Sequence, residues 1–499
     1  MGRVVIVSNR VMDTTQAAQA GGVAVAISEV LQSQSGLWFG WSGSVQADVD
    51  EAPTVAAVED GVAIATVPLT PQEHQGYYLG YANSVLWPVF HNRLDLAQFE
   101  AGFFDIYKSV NARMAASLKP LLRPDDTIWV HDYHLVPLAL ELRAIGINNP
   151  LGYFLHIPFP PAQTFLAIPE HKRLARMLAA YDLVGLQTEA DVANLLDYLK
   201  QGVRGRILQD GRIRAFDRVL SIGSFPVSID PKEFMSAKPR AGLAQGGPAV
   251  RRIIGVDRLD YTKGLPPKFH AFARFLERYP NNSGNVVLTQ IAPPTRESVE
   301  AYTDIRTELE TLAGSINGRF GELDWVPIHY IHRSIPRGTL ADIYRSARIG
   351  LVTPMRDGMN LVAKEYVAAQ DPADPGVLIL SRFAGAAEQL TDALIVNPYN
   401  IDEIADAIEK ALQMDKAERV RRNAAMLDVI QRHDTFAWSR SFLEALGRVY
   451  AKEHASGGPP SVELRQRLSQ LARRTGREEP PVRSDTKGRP TNLPGGVVE

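Results

Sequence analysis

The sequence contains no cysteine. That absence removes disulfides, thiol nucleophiles and thiolate metal sites in one step, and it fits a reducing, cytoplasmic setting. No apolar run approaches the roughly 20 residues a helix needs to cross a bilayer. The opening MGRVVIVSNR has too short an apolar core for a secretion signal, and its Ile6 spoils a myristoylation motif. Neither sign of charge dominates: the formal net charge is −2. A chain that wraps nucleic acid or coats an anionic membrane would be far more basic. HExxH, a Walker loop, GxGxxG and the DxDx[TV] pattern of a phosphatase are also missing. Asp48-Val49-Asp50 reads as a polar surface turn, so no metal and no cofactor is expected.

What is present is ordinary for a globular protein: 45% hydrophobic, 22% charged and 8% aromatic residues. At 499 residues the chain is too long for one core and long enough for two large domains. Strand-like and helix-like segments alternate throughout, which indicates an α/β protein built from Rossmann-like domains. The pattern breaks near Ser228–Phe234, and residues 237–250 are rich in Gly, Pro and Ala. The expected division is residues 1–236 for the first domain and 237–453 for the second. Residues 454–499 are rich in Gly, Pro, Arg and Glu, too poor in apolar residues to offset the entropy of ordering, and are expected to form a disordered tail.

The chain is organised around IGLVTPMRDGMNLVAKEYVAAQD, residues 349–371. Ile349–Val352 reads as a buried parallel strand that Pro354 ends, and Gly358 as a turn residue able to take φ > 0. Asn360 reads as the N-cap of a helix beginning Leu361, Val362, Ala363, Lys364, Glu365. The first N–H groups of such a helix lack internal partners and suit phosphate oxygens, while a carboxylate one turn in, Glu365, can accept two ribose hydroxyls. Taken alone, the stretch reads better as an ordinary strand-turn-helix with Glu365 in solvent.

Other candidates lie where strands end, because ligands of open parallel sheets collect there. The strand Val4–Val7 leads to Arg10, and Gly21-Gly22 opens a helix-like segment. A glycine pair admits close backbone approach, although by itself it is usually a flexible turn. The aromatics of LWFGW (37–41) and of the segment 77–88 suit the flat faces of sugars, but most such residues are core. Trp38 and Phe39 are read as core. Phe99, Phe103, Ile106, Val110, Met114 and Leu118 recur at helical spacing. The strand Thr127–Val130 ends in His131-Asp132-Tyr133-His134. Alternation along an extended segment would send His131 and Asp132 to opposite faces, against a shared metal ion. His156 follows another buried strand and precedes two prolines; a lone histidine there is more often core than catalyst. Arg258 and Lys263 share one loop after the strand Ile253–Val256, suiting a diphosphate by a planar fork and a point charge.

Taken together, DGMNLVAKEY (357–366), RLDYTKG (258–264), HDYH (131–134) and the segments around Arg10, Tyr78, Trp87 and His156 closely resemble the trehalose-6-phosphate synthases. These are retaining glycosyltransferases that join nucleotide-activated glucose to glucose 6-phosphate. The resemblance runs in order from Val4 to about Trp438 and spares the tail. It implies two facing Rossmann-like domains (the GT-B type glycosyltransferase fold) with the active site in the cleft between them. It also implies a last helix, near Phe436–Tyr450, crossing back to the first domain.

The resemblance implies an acceptor site of Arg10, Tyr78, Trp87, Asp132 and Arg296. It implies a donor site of Gly21, Gly22, His156, Arg258, Lys263, Ile335, Asp357 and the helix start Leu361, Val362, Ala363, Lys364 and Glu365. Asp132, His156, Arg258, Lys263 and Asp357 would carry the reaction. The implied reaction moves glucose from UDP-glucose to glucose 6-phosphate by front-face attack and releases α,α-trehalose 6-phosphate and UDP. The implied partners are these two small molecules, with neither nucleic acid nor membrane, and the assembly a homo-oligomer, a tetramer by resemblance. Two rivals remain: an enzyme of the same fold coupling cyclitols through nitrogen, and, from a different class, an inert sensor of nucleotide sugar or sugar phosphate. Relatives of either kind tend to lose sugar contacts or charged contacts, and this sequence keeps both.

Overall fold

The computed structural model describes residues 2–11, 27, 31, 36–50, 52–57, 62–216, 218–236, 250–295 and 300–455. The expectations for Gly21, Gly22, Arg296 and the tail beyond residue 455 therefore lie outside the described residues.

Ten strands form the first sheet: β1 (Val4–Arg10), β2 (Gly36–Val45), β3 (Thr54–Ala57), β4 (Val62–Leu69), β5 (Thr127–His131), β6 (Leu151–Phe154), β7 (Leu183–Leu186), β8 (Arg206–Ile207), β9 (Ile213–Ala215) and β10 (Arg218–Ser224). Their order is β3-β4-β2-β1-β5-β6-β7-β10-β9-β8, parallel except where β3 and the β8–β9 hairpin finish the edges. The second sheet has β11 (Arg251–Val256), β12 (Val286–Ile291), β13 (Ile328–Ile331), β14 (Ile349–Val352), β15 (Val377–Ser381) and β16 (Leu394–Val396), all parallel, in the order β13-β12-β11-β14-β15-β16. Strands such as Val4–Val7 and Leu183–Leu186 are buried along their whole length, as parallel strands covered by helices on both faces must be.

This topology locates the site before any side chain is considered. In each sheet the order reverses at one place, beside β1 in the first and beside β11 in the second, and open α/β sheets hold their ligands beyond the strand ends at that reversal. The loops there are Arg10–Val11 and Asp132–Leu135 in one domain, and Asp257–Gly264 and Thr353–Asn360 in the other. The latter two are tied together, the Met355 N–H donating to the Thr262 carbonyl at 2.8 Å.

The helix Phe103–Leu118 forms as the spacing predicts, but it starts after Gly102, which takes φ 91°. Phe99 falls outside it and is 45% exposed, so the apolar stripe begins one turn later than the pattern suggested. The chain leaves the first sheet at Ser224, and Val227, Ile229 and Phe234 join an apolar cluster that also holds Ile6, Trp129 and Phe154 from the first domain and Val256, Tyr366 and Leu378 from the second. The helix Pro231–Met235, capped by Asp230, thus packs with the second domain's helix Leu361–Ala369.

The last helix, Thr435–Ala455, returns to the first sheet. Its Phe442 ring stacks on Trp129 at 4.7 Å and 11°. Gly152 and Gly185 make room for it, since a Cβ on either would come within 2.7 Å of that ring. No described helix is long and apolar enough to cross a membrane.

Candidate active site

On the first domain, residues expected from the sequence to hold the acceptor lie on a connected surface. Arg10, exposed at the end of β1, lies over the Trp41 ring at 5.9 Å; Trp41 meets Tyr78 at 5.3 Å, and Tyr78 stacks on His134 at 5.8 Å and 14°. Tyr78 belongs to a π-helical segment, His74–Leu86, whose wide turn is a departure often found at functional sites. Trp87 directly follows it and is buried.

Asp132 is the strained residue of this surface. Its backbone has φ 77° and ψ 167°, a region open essentially to glycine alone, at a cost on the order of 1–3 kcal/mol for other residues. The Asp132 N–H donates to the Phe154 carbonyl at 2.8 Å, and its carboxylate Oδ1 accepts the His156 N–H at 3.2 Å. The expected strand alternation through His131–His134 fails for this reason: the chain turns at Asp132 and enters the 3₁₀ turn Tyr133–Leu135. His131 instead pairs with His156, Nδ1 to Nε2 at 3.0 Å. No group of three or more potential metal ligands occurs among the described residues.

Across the cleft, Asp260 caps the turn Tyr261–Lys263 through the Thr262 N–H, and Lys263 Nζ lies 2.5 Å from Asp357 Oδ2. Burial pushes the Asp357 carboxyl up, but the Lys263 ammonium, His91 and the Asn360 amide more than offset it, leaving its pKa below the usual range. The residue expected to hold the diphosphate and the one expected to hold the sugar are thus already paired. An ammonium has three donors, so Lys263 can keep Asp357 and still reach a phosphate oxygen. Arg258 is exposed and sits over Trp87 of the other domain at 5.7 Å.

Asn360 caps the helix Leu361–Ala369 as predicted, accepting the Ala363 N–H at 3.3 Å, and takes φ 71° itself. Gly358, by contrast, does not adopt a positive φ. It must be glycine because a Cβ would lie 2.0 Å from the His156 carbonyl oxygen, where the two domains touch. Leu361, Val362 and Ile335 are partly buried against one cluster, at the donor side.

Glu365 is buried rather than free in solvent. It accepts the Tyr344 hydroxyl at 3.3 Å and lies 3.9 Å from Arg337. Burial raises its pKa against the opposing pull of Arg337 and Tyr344. Lys364 points away from the helix start: Nζ donates to the Val227 carbonyl and to Gln389 Oε1, both at 2.7 Å, and burial lowers its pKa to about 7.

The structure therefore brings Tyr78, Trp87, Asp132, His156, Arg258, Lys263, Asp357 and the helix start to one cleft, with Arg10 at its end. Sequence reasoning missed Trp41, His91, Gln187 and Arg356. Arg356 crosses the cleft to the Phe159 carbonyl at 3.2 Å, and Gln187 Nε2 donates to the His156 carbonyl at 3.2 Å. The aromatic run at 37–41 was a signal for Trp41, and a polar residue after a buried strand was one for Gln187; His91 and Arg356 gave none.

The sequence pattern of glycosyltransferase family 20 matches residues 4–448. The chain belongs to that family. It is 47% identical over 463 residues to the trehalose-6-phosphate synthase of Klebsiella pneumoniae, covering 91% of this chain and 97% of the relative. Two solved structures of family members with ligands are also similar. One is an α,α-trehalose-phosphate synthase (UDP-forming) from Burkholderia xenovorans in complex with glucose-6-phosphate: 46% identity, TM-score 0.84, covering 89% of this chain and 100% of that one. The other is the Escherichia coli protein bound with UDP-2-fluoro glucose: 47% identity, TM-score 0.85, covering 89% and 99%. The fold is accordingly the two-domain GT-B arrangement, and the chain is a glycosyltransferase.

Proposed function

We propose that this protein transfers glucose from UDP-glucose to glucose 6-phosphate with retention of configuration, producing α,α-trehalose 6-phosphate and UDP. The observation that carries the reading is the convergence of the charged residues of both half-sites on the two sheet reversals of a chain similar to synthases along nearly its whole length. Arg10 serves the acceptor's phosphate together with Arg296. Tyr78, Trp87 and Asp132 serve its sugar, and His156 and Asp357 the transferred glucose. Arg258, Lys263 and the N–H groups from Leu361 onward take up charge on the departing diphosphate. Glu365 and the segment at Ile335 serve the nucleoside.

Lys263 and Asn360 both hold Asp357 Oδ2, at 2.5 and 3.1 Å, and their pull lowers the carboxylate's basicity and makes it a weak nucleophile. This favours direct front-face transfer over the two-step covalent route of retaining glycosidases, with the leaving oxygen taking the acceptor's proton. The protein then contributes orientation and fixed charge. No metal is required, since side chains and helix N–H groups meet the phosphate charge. The chain is further read as a cytoplasmic homo-oligomer, a tetramer by resemblance, which light scattering would test. The deciding assay for the reaction is UDP release from UDP-glucose with and without glucose 6-phosphate. Release that depends on the sugar phosphate supports the reading, and equal release in both arms overturns it.

A further inference from the structure

His131 ends β5 and His156 follows two residues after the end of the adjacent β6, and their rings face each other 5.2 Å apart at 26°. His131 is 1% exposed and His156 7%. Around them stand Trp129 (4.6 Å from His131), Phe154 (4.8 Å from His156) and, from the returning helix, Trp438 (6.3 and 6.1 Å). Asp132 is next in sequence, and its Oδ1 is given to the backbone N–H of His156, not to either ring. The only polar contact between the imidazoles is Nδ1 of His131 to Nε2 of His156.

The contact constrains protons. Two ring nitrogens 3.0 Å apart form a hydrogen bond only if one carries hydrogen and the other does not. Burial lowers both pKa values, so both rings are neutral and each has one N–H to place. Fixing the proton between the rings therefore fixes the opposite edge of each. For His156 that edge is Nδ1, which is buried and has no hydrogen-bond partner among the described residues. It is the one ring atom of His156 left to meet a ligand.

We propose that His131 is a positioning residue for glucosyl transfer: through its Nδ1 it fixes the ring orientation and tautomer of His156, and so the hydrogen-bonding role that His156 Nδ1 offers the sugar. The proposal rests on the reading of His156 as a glucose contact. A filler of the core would need only volume, which leucine or phenylalanine supplies; a positioning residue needs a polar atom at the Nδ1 position, which asparagine supplies.

The test compares His131→Leu, His131→Phe and His131→Asn by steady-state kinetics, alongside ¹⁵N spectra of histidine-labelled protein. Leu and Phe are expected to lower kcat by about 10-fold or more, the loss of one hydrogen bond of about 1.4 kcal/mol, with KM for both substrates within about 3-fold by the same scale. Asn is expected to recover most of the kcat, although it fills less of the pocket. In the spectra, wild-type His156 shows one tautomer and the Leu variant a mixture. Asn as impaired as Leu, or Leu as active as wild type, overturns the proposal. If the wild type shows no transfer at all, the functional reading fails by that result. The tautomer spectra then decide the His131–His156 coupling on their own, a single His156 tautomer in the Leu variant counting against it. If Leu and Phe do not fold, Asn with Trp438→Phe gives the same readouts, and a tautomer mixture in Asn overturns the proposal.

Discussion

The Nζ of Lys364 lies 2.7 Å from the carbonyl oxygen of Val227, so the helix Leu361–Ala369 grips the segment on which the chain passes between the two sheets. The grip continues: the Val227 N–H donates to Gln187 Oε1 at 3.1 Å, and Gln187 Nε2 donates to the His156 carbonyl at 3.2 Å. Three successive hydrogen bonds thus join the helix Leu361–Ala369 to the backbone of His156, by way of Val227 and Gln187.

Replacing Lys364 by methionine should weaken this relay by removing the donor to the Val227 carbonyl and Gln389 Oε1. The expected result is a KM for UDP-glucose about 10-fold higher or more, from loss of a charged hydrogen bond, with KM for glucose 6-phosphate little changed. Removing a buried charge while orphaning two acceptors leaves opposing effects on stability. Kinetics with each substrate varied in turn is the check, and an equal rise in both KM values would place Lys364 in general packing instead.

Asp132→Gly should separate stability from activity. Glycine relieves a strain on the order of 1–3 kcal/mol and loses a hydrogen bond to a carboxylate of about 1.5–3 kcal/mol, so thermal stability should change little. Activity should fall about 10- to 150-fold with the carboxylate gone, by the scale of a charged contact. Thermal melts and kcat/KM on one preparation decide it; a large drop in melting temperature would contradict the strain argument.

Stability should rise with pH across a wide window. Burial lowers the pKa of His91 to about 4 and of His156 to about 3, with His131 also well below its ordinary 6.5. As pH falls below 6.5, the unfolded chain binds protons that the folded state refuses, so stability is lost at about 1.4 kcal/mol per pH unit for each fully titrating group. Lys364 acts in the same direction at higher pH. Between about 7 and 10.5 the unfolded lysine stays protonated while the folded one does not, which adds stability as pH rises. Urea midpoints at pH 5, 7 and 9 should increase in that order, and a midpoint highest at pH 5 would refute the assignment.

The half-sites should respond separately. Glu365→Ala should impair use of UDP-glucose, whereas Arg10→Ala and Arg296→Ala should impair use of glucose 6-phosphate. A hydrogen bond to a charged group contributes on the order of 1.5–3 kcal/mol, so each loss is about 10- to 150-fold in the affected kcat/KM. Arg10→Ala should also narrow the preference for glucose 6-phosphate over free glucose. If it impairs only UDP-glucose, the acceptor site is misplaced.

If Arg258, Lys263 and the helix start answer the phosphate charge, turnover should survive excess EDTA. Activity that disappears there and returns with Mg²⁺ would show that a cation is needed.

How much of this was legible depended on how local the cause was. The strand, proline stop, cap and helix of residues 349–369 came through because Pro354, Asn360 and the apolar run Ile349–Val352 act within a few residues of where they stand. Gly358 was recognised as special for the wrong reason: what it avoids is the carbonyl of His156, a residue of the other domain. The π-helical turn at His74–Leu86 leaves no compositional mark, and Asp132's backbone could not be guessed when glycine is the residue that ordinarily takes it. Glu365 was placed correctly on its helix, but Tyr344 and Arg337, which surround it, come from a separate helix.

The returning helix sets a rule for building hybrids. Phe442 sits where Gly152 and Gly185 have given up their side chains, so residues 435–455 are matched to the first half of the chain although they are encoded with the second. A chimera that joins the first half of one synthase to the second half of another should therefore carry this helix from the parent that supplies the first half. Exchanged at the linker alone, it would press a foreign surface into that groove.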